Sequence, residues 1–225
     1  MLEAVLFDWG DTLAAWEWSD ELMEAGHAAG LGAIGREPSA DLTQRYLDDV
    51  LPFAEDGRYR ELLHAWLAPV TDEELDRYVA AEHAAWRPAH RLDSTTHALL
   101  ETLRGRGLKL ALVTNVFDPP ELARAELERL GVAQRLDAVV YSSEAGARKP
   151  APAIFELALD RLGGVAPERA LMVGDRLRED IGGAAALGMH TCQALWFRAE
   201  EGEGPEPDFR AFTQMDVMTA VRRLS

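Results

Sequence analysis

Four apolar segments with the pattern of β-strands alternate with helical segments from Asp93 onward, and this alternation limits the possible folds more than any other feature. The alternation of strands with helices implies right-handed crossover connections, which place the strands parallel in one sheet. The sequence therefore predicts an α/β fold with a doubly wound parallel sheet. The four predicted strands are Leu108–Val113, Asp137–Tyr141, Arg169–Val173 and His190–Trp196.

A further strand pattern occurs near the N-terminus, at Val5–Phe7, and acidic and glycine residues follow it at once. The chain then changes to segments rich in Ala, Glu, Leu and Arg, with few β-branched residues. We therefore predict a small α-helical domain over residues 14–92, inserted into a core domain of residues 1–13 and 93–225. Its predicted amphipathic helices are Asp20–Gly30, Asp41–Leu51, Tyr59–Leu67 and Asp72–Trp86.

The composition narrows the classes of partner. The 225 residues carry a formal net charge of −16, which disfavours nucleic acids and anionic membranes, because binding to either requires a basic surface. Cys192 is the only cysteine, so no disulfide can form within the chain, and a reducing cytosol is its natural setting. No secretory signal or membrane-spanning run is apparent. We expect a soluble cytoplasmic protein, and the sequence leaves its oligomeric state open.

Residues with chemical function stand where the predicted strands end. Asp8, Thr114, Asn115 and Asp175 follow strands, and Lys149 lies in a loop between a strand and a helix. Because the carboxyl ends of parallel strands meet at one edge, these side chains are expected to surround one small volume. Such a set suits a phosphoryl group bound with Mg²⁺, since carboxylate oxygens hold the metal and the lysine balances charge. An aspartate kept ionised beside Mg²⁺ can attack phosphorus.

Four separated motifs, in this order, resemble those of the haloacid dehalogenase (HAD) superfamily, whose hydrolases use an aspartate nucleophile. The resemblance spans nearly the whole chain, and a helical cap inserted after the first strand is the family's common arrangement. It implies a Rossmann-like HAD core with a small helical cap domain. The motifs are Phe7-Asp8-Trp9-Gly10-Asp11-Thr12-Leu13, Val113-Thr114-Asn115, Lys149-Pro150, and Val173-Gly174-Asp175 with Asp180.

The resemblance also implies roles for individual residues. Asp8 is the nucleophile and a ligand of Mg²⁺, Thr114 binds the phosphoryl group, and Lys149 neutralises its charge. The implied substrate is a small phosphorylated metabolite. The catalytic residues are thus Asp8, Thr114 and Lys149, the metal ligands are Asp8, Asp175, Asp180 and the carbonyl of Gly10, and the predicted substrate-binding residues are Asp11, Thr12 and Asn115.

One position departs from the family's pattern. Phosphatases of this family usually carry a second aspartate two residues after the nucleophile, as general acid and base, and here that position is Gly10. Asp11 is the nearest acid, but a shift of one residue in a loop can redirect a side chain completely. General acid–base catalysis contributes about 10²–10⁴-fold. The departure therefore predicts a slow phosphatase, a proton donor from elsewhere, or a different reaction.

Two branches of the family lack that aspartate. Phosphonate-cleaving members use a cap lysine, and residues 14–92 contain none. The 2-haloacid dehalogenases hold their substrate with a cap arginine, for which Arg36 or Arg45 is a candidate, but they lack the Gly174-Asp175 metal motif. A Mg²⁺-dependent phosphatase acting through an aspartyl-phosphate is therefore preferred to a dehalogenase. A weakly catalytic phosphate-binding or regulatory protein is the third alternative.

Some features of the helical segment have simpler interpretations. Gly30–Gly35 matches a dinucleotide fingerprint by its letters, but it follows a helix pattern rather than a strand, so we predict a flexible turn there. Trp16 and Trp18 are expected to pack at the domain junction, with a place in the substrate pocket as the alternative. Three histidines on helix patterns are predicted at the surface: His27, His64 and His83.

Overall fold

The computed structural model describes residues 1–50, 58–116, 119–198 and 204–225. It divides into two compact units, which resemble the predicted division but differ from it at one segment that we placed in the core, Val116–Glu126. The predicted domain boundaries themselves remain a prediction. The first unit comprises Met1–Ala15, Leu92–Asn115 and Leu127–Ser225, and the second comprises Trp16–Arg91 and Val116–Glu126.

Six parallel strands form the sheet of the first unit, which confirms the predicted α/β fold. The described strands are β1 (Ala4–Phe7), β2 (Ala14–Trp16), β3 (His90–Leu92), β4 (Lys109–Thr114), β5 (Ala138–Tyr141), β6 (Ala170–Gly174), β7 (His190–Ala194) and β8 (Phe209–Ala211). The sheet has the order β5-β4-β1-β6-β7-β8, and β2 pairs with β3 in a separate two-stranded ribbon.

β1 lies in the middle of the sheet, and all four of its residues are buried. Phe7 is in register with Leu112 of β4 and Val173 of β6, and both pairings are parallel. The carboxyl ends of β1 and β6 therefore reach the same edge, where Asp8 and Asp175 follow them directly. Strand order runs outward from β1 in both directions, and α/β sheets bind ligands at such a point.

The helices follow the predicted pattern closely. The predictions Tyr59–Leu67 and Asp72–Trp86 match two helices to the residue, whereas Asp41–Leu51 ends outside the described residues. No described helix is both long and apolar enough to cross a membrane. The helices are α1 (Asp20–Ala33), α2 (Ala40–Asp49), α3 (Tyr59–Leu67), α4 (Asp72–Trp86), α5 (Thr96–Gly105), α6 (Pro120–Arg129), α7 (Ser142–Ala145), α8 (Pro152–Arg161), α9 (Gly183–Ala186) and α10 (Val217–Leu224).

In the second unit, α1 continues through Gly30 to Ala33, so the flexible turn predicted for Gly30–Gly35 is wrong over its first four residues. The glycines of α1 have a packing role instead. A Cβ atom on Gly30 would lie 2.7 Å from the ring of Tyr78, and one on Gly26 would lie 2.0 Å from the indole of Trp86. Both aromatic side chains belong to α4, so the two glycines allow α1 and α4 to pack closely.

Apolar side chains of the first unit form a core between the sheet and α8. Leu6 of β1, Val113 of β4 and Met172 of β6 are fully buried there, together with Ile154 and Phe155 of α8. Burial of each such side chain contributes about 1.5–3 kcal/mol. This packing fixes the strands whose ends carry the predicted site residues.

Candidate active site

Three buried carboxylates meet at the carboxyl edge of the sheet. Asp8 follows β1, Asp175 follows β6, and Asp180 lies in the π-helical turn Leu177–Gly182 that precedes α9. Each offers a carboxylate oxygen, and these oxygens all lie within 4.8 Å of one another. The exposed fractions of the three residues are 8%, 2% and 1%, so each charge is largely withdrawn from water.

The π-helical turn orients Asp180. The backbone N–H of Arg176 donates to Asp180 Oδ2 at 3.0 Å, so one carboxylate oxygen is held within the turn. Gly174 leaves the space that Asp180 fills, because a Cβ atom there would lie 2.4 Å from Asp180 Cγ. Single π turns are frequent at functional sites. Here the turn directs the other oxygen of Asp180 toward the cluster.

Lys149 is the cation of the cluster and is 5% exposed. Its Nζ donates to Asp8 Oδ1 at 2.5 Å and to Asp180 Oδ1 at 2.6 Å. Asn115 fixes the backbone of this lysine, accepting from its N–H at 2.8 Å and donating to its carbonyl at 3.1 Å. The side chain of Asn115, which we predicted to bind substrate, thus positions Lys149 in this structure. Its substrate role remains a prediction.

The cluster has more negative than positive charge, and the titration of its members reflects this imbalance. Burial raises the pKa of Asp175 to about 8, with Asp8 and Asp180 adding to the effect. Burial also raises the pKa of Asp180 to about 6, and Lys149 opposes that rise. Burial disfavours the charge of Lys149, but Asp180 and Asp8 outweigh it and raise the pKa of the lysine above its usual value. A cation held by these carboxylates would reverse the penalty on their ionised forms.

One acceptor in the cluster has no partner. Asp175 Oδ1 is buried and accepts no hydrogen bond within the described parts of the chain. A buried carboxylate oxygen without a partner is costly. Oxygen atoms of carboxylates are the ligands that hard divalent cations prefer. The donor set of Asp8, Asp175 and Asp180 therefore fits an ion such as Mg²⁺.

The structure gives the positions of the remaining predicted site residues but does not test their roles. Asp11 has a positive φ of 53°, a conformation that non-glycine residues adopt infrequently, and its N–H donates to the carbonyl of Ala14 at 2.7 Å. Thr12 is fully buried, and its carbonyl accepts from the indole of Trp196 at 2.9 Å. Thr114 ends β4 and is buried. The roles predicted for these residues and for the carbonyl of Gly10 remain predictions.

Arg198, which was not among the predicted site residues, lies beside the cluster. Its Nε lies 3.7 Å from Asp11 Oδ2, and its Nη2 lies 3.8 Å from Asp175 Oδ2. The signal was present, since an arginine shortly after the carboxyl end of β7 belongs to the same edge of the sheet as Asp8 and Asp175.

Several predictions for the second unit need correction. His27 and His83 are buried, with exposed fractions of 0% and 4%, so the predicted surface location is wrong for both, whereas His64 is exposed. Arg36, one candidate for binding a haloacid, donates to the carbonyls of Leu67 and Pro69 at 2.6 Å each. Trp18 lies edge-on to Trp86, and Trp16 stacks on His90, with all four residues in this unit. The predicted location of the two tryptophans at the domain junction, and the alternative place in a substrate pocket, remain predictions.

Several known proteins with related sequences are named as phosphatases. Over 176 residues the chain is 35% identical to the phosphoserine phosphatase of Thermus thermophilus, covering 71% of this chain and 68% of that protein. Over 211 residues it is 30% identical to the glyceraldehyde 3-phosphate phosphatase of Methanothermobacter thermautotrophicus, covering 84% of each. It is 43% identical over 115 residues to the ribulose-1,5-bisphosphate 5-phosphatase of Halopiger xanaduensis, but spans only 46% of that protein.

Solved structures share the fold. An HAD phosphatase from Thermococcus onnurineus superposes with a TM-score of 0.73 at 24% identity, covering 98% of both chains. A 2-haloacid dehalogenase from Pseudomonas syringae pv. Tomato DC3000 superposes with a TM-score of 0.72 at 23% identity, covering 100% of both chains. These two values are nearly equal, so fold similarity alone does not separate the two activities. The family model of haloacid dehalogenase-like hydrolases matches residues 2–188, and the chain therefore belongs to this family of hydrolases.

Proposed function

We propose that this hydrolase removes the phosphoryl group from a small phosphorylated metabolite, with Mg²⁺ as cofactor and an aspartyl-phosphate at Asp8 as intermediate. The buried cluster of Asp8, Asp175 and Asp180 around Lys149 carries the proposal. Three carboxylates and one ammonium group leave two negative charges, which one divalent cation balances. The names of two relatives, a phosphoserine phosphatase and a glyceraldehyde 3-phosphate phosphatase, support a phosphomonoester as substrate.

In this proposal Asp8, Asp175 and Asp180 hold the ion, together with the carbonyl of Gly10. The unpartnered Asp175 Oδ1 supports this assignment, because coordination would satisfy it. Bound Mg²⁺ would withdraw electron density from the phosphoryl oxygens and so weaken their repulsion of an attacking carboxylate. The protein's own contribution is to keep the three carboxylates close together before the ion arrives.

Asp8 is the proposed nucleophile. Lys149 donates to its Oδ1, whereas Oδ2 accepts no hydrogen bond from the described residues. We assign Oδ2 to the attack on phosphorus, in which the Oδ2–P bond forms while the ester P–O bond breaks. The hydroxyl of Thr114 is assigned to donate to a phosphoryl oxygen. Water then hydrolyses the aspartyl-phosphate and restores the Asp8 carboxylate.

The leaving oxygen needs a proton, and Gly10 cannot supply it. Asp11 is the nearest acid in sequence, but its carboxylate faces Arg198 at 3.7 Å. A proton donor that is poorly placed, or is replaced by water, costs about 10²–10⁴-fold in rate. We therefore expect slow turnover of esters with poor leaving groups and much faster turnover of aryl phosphates, whose leaving oxygen needs little protonation.

Two observations count against the dehalogenase alternative. A metal-free displacement of halide has no use for three buried carboxylates within 4.8 Å of one another. The guanidinium of Arg36 is already occupied by two backbone carbonyls. Arg45 remains as an exposed candidate for a substrate-holding arginine.

The test is phosphate release from a panel of phosphorylated metabolites, with Mg²⁺ and with chelator. Wild type is expected to release phosphate only with the metal. The rate of phosphate release by Asp8→Asn is expected to be at least about 10³-fold lower than that of wild type, because the covalent step requires the carboxylate. Asp160→Asn, an exposed aspartate on α8, is the matched control and is expected to retain activity. Halide release without metal would instead favour the dehalogenase. Phosphate binding with negligible turnover would favour the regulatory alternative.

A further inference from the structure

Arg198 lies at the edge of the cluster without a hydrogen-bonded partner in the parts of the chain that the structure describes. Its ion-pair distances, 3.7 Å to Asp11 Oδ2 and 3.8 Å to Asp175 Oδ2, are longer than hydrogen bonds. Its side chain is 54% exposed. The five donors of its guanidinium fork are therefore engaged only by charge, and they remain available to a ligand.

The backbone leading to Arg198 is held in place. Two residues earlier, the indole of Trp196 donates to the carbonyl of Thr12 at 2.9 Å, and Gln214 donates to the same carbonyl at 3.2 Å. The chain that leaves β7 is thereby tied to the loop that follows Asp8. The residue two positions before Arg198 is therefore fixed beside the loop that follows Asp8, close to the cluster.

The charges around Arg198 change when a cation binds. In their ionised forms the three carboxylates exceed Lys149 by two negative charges, and ionised Asp175 attracts Arg198. A divalent ion balances that excess and takes over Asp175, which weakens the attraction. Among the ion pairs of Arg198 in the described residues, the one with Asp11 then remains, and the Arg198 side chain is 54% exposed. A planar guanidinium in this situation is suited to a carboxylate or phosphate, which it can bind through two parallel hydrogen bonds.

We propose that Arg198 binds a second anionic group of the substrate, a carboxylate or a further phosphate, distinct from the phosphoryl group that is cleaved. This inference rests on the proposed function and narrows the substrate class to phosphomonoesters with a second negative charge. The chain between the two groups is short, because the guanidinium lies only 3.8 Å from a carboxylate of the cluster. Arg198 is then a specificity-determining residue contributed by the sheet-bearing unit.

The experiment compares matched ligands that cannot be hydrolysed. Phosphonoacetate and 3-phosphonopropionate carry a carboxylate, and 2-hydroxyethylphosphonate and 3-hydroxypropylphosphonate replace it with an uncharged hydroxymethyl group. Calorimetry with the Mg²⁺-loaded protein gives each Kd. Wild type is expected to bind at least one carboxylate ligand about 10-fold more tightly than its hydroxyl counterpart, the range of a charge-assisted hydrogen bond.

Three variants isolate the guanidinium. Arg198→Ala is expected to abolish the preference while leaving the affinity for the hydroxyl ligands within about twofold. Arg198→Lys is expected to keep only part of the preference for the carboxylate ligands, since an ammonium group lacks the planar fork of a guanidinium. Arg210→Ala is the matched control. Arg210 lies on β8 and is also about half exposed, but it pairs with Glu206 at 2.7 Å. The Arg210→Ala protein should keep the preference for the carboxylate ligands.

Three results would overturn the inference: no preference in wild type, a preference that survives in Arg198→Ala, or equal weakening of both ligand classes in that variant. The last result would place Arg198 on the phosphoryl group itself. These binding outcomes are separate from the phosphate-release assay. A protein that releases phosphate but shows no carboxylate preference refutes only the role of Arg198, and one that releases none refutes the proposed function.

Discussion

Gly174 ends β6, and the space beside its Cα is occupied by Asp180. Any side chain at this position would push against that carboxylate, since even a Cβ atom would lie 2.4 Å from Asp180 Cγ. The sequence identified Gly174 only as part of a motif next to Asp175. The structure supplies the physical reason for a glycine, which is close approach by a buried acid that belongs to the next turn of the chain.

Gly174→Ala is therefore expected to displace Asp180 and to weaken Mg²⁺ binding by about 10–100-fold, the usual cost of disturbing a metal site's supporting groups. Calorimetric titration with Mg²⁺ measures the effect. Gly105→Ala provides the control, because Gly105 ends α5 with open space around it and should leave Mg²⁺ affinity unchanged. Full Mg²⁺ affinity in a folded Gly174→Ala protein would show that Asp180 does not hold the ion.

Some site residues could be predicted from the sequence and others could not, and the difference lies in the kind of contact that each residue makes. Asp8, Asp175 and Lys149 act through charged groups at strand ends or in a crossover loop, so their position in the pattern was enough to bring them together. Asn115 was predicted as a substrate-binding residue, but its hydrogen bonds to backbone atoms of Lys149, 34 residues away, were not, because a contact of that kind leaves no signature in the residue types. Arg198 was overlooked since a single exposed arginine resembles any surface arginine until its neighbours are known.

α1 and α4 illustrate how packing overrides local preference. Glycine lowers helix propensity by about 1 kcal/mol relative to alanine, which is why Gly30 was predicted to begin a turn. In the structure the same residue lies inside α1 and faces the ring of Tyr78. The intrinsic cost of the glycine is offset by the close helix contact that it allows. α3 and α4 were predicted to the residue because no such conflict arises in them.

A matched pair of glycines in α1 tests this explanation. Gly26→Ala is expected to destabilise the protein by about 1–3 kcal/mol, because the new methyl group would overlap the indole of Trp86. Gly32→Ala in the same helix meets no atom within 4 Å and is expected to stabilise by about 0.5–1 kcal/mol. Urea denaturation monitored by circular dichroism gives both values. Equal effects of the two substitutions would remove the packing argument.

For the molecule as a whole, resistance to acid depends on polar groups buried in the helical unit. His27 has no exposed surface, and its Nδ1 shares a hydrogen bond of 2.6 Å with the hydroxyl of Tyr78. Its Nε2 is buried without a hydrogen-bond partner in the described residues. Nearby, Tyr46 and Tyr59 both donate to the buried carboxylate of Glu82. A proton added to His27 would therefore place a new charge in an environment without water.

Burial accordingly lowers the pKa of His27 from 6.5 to about 4. Between these two pH values the unfolded chain binds a proton that the folded chain does not, so stability is complete above pH 6.5 and falls as the pH decreases. From pH 7 to pH 5 we expect the free energy of unfolding of wild type to fall by roughly 1–2 kcal/mol more than that of His27→Gln, whose residue 27 cannot titrate. Chemical denaturation at both pH values measures this difference, and parallel losses in the two proteins would contradict it.

The position of β1 in the sheet has a consequence for the newly made chain. This apolar strand is synthesised before both of its neighbours in the sheet, β4 and β6. Lys149 follows Asp8 by 141 residues, which a ribosome translating at roughly 5–20 residues per second needs about 7–28 s to add. Until β4 has been added, neither sheet neighbour of β1 exists, and the cluster stays incomplete until Lys149, Asp175 and Asp180 have followed. We therefore expect chaperone protection of β1 before β4 is made, and activity only after the segment that carries Asp175 and Asp180 has been added.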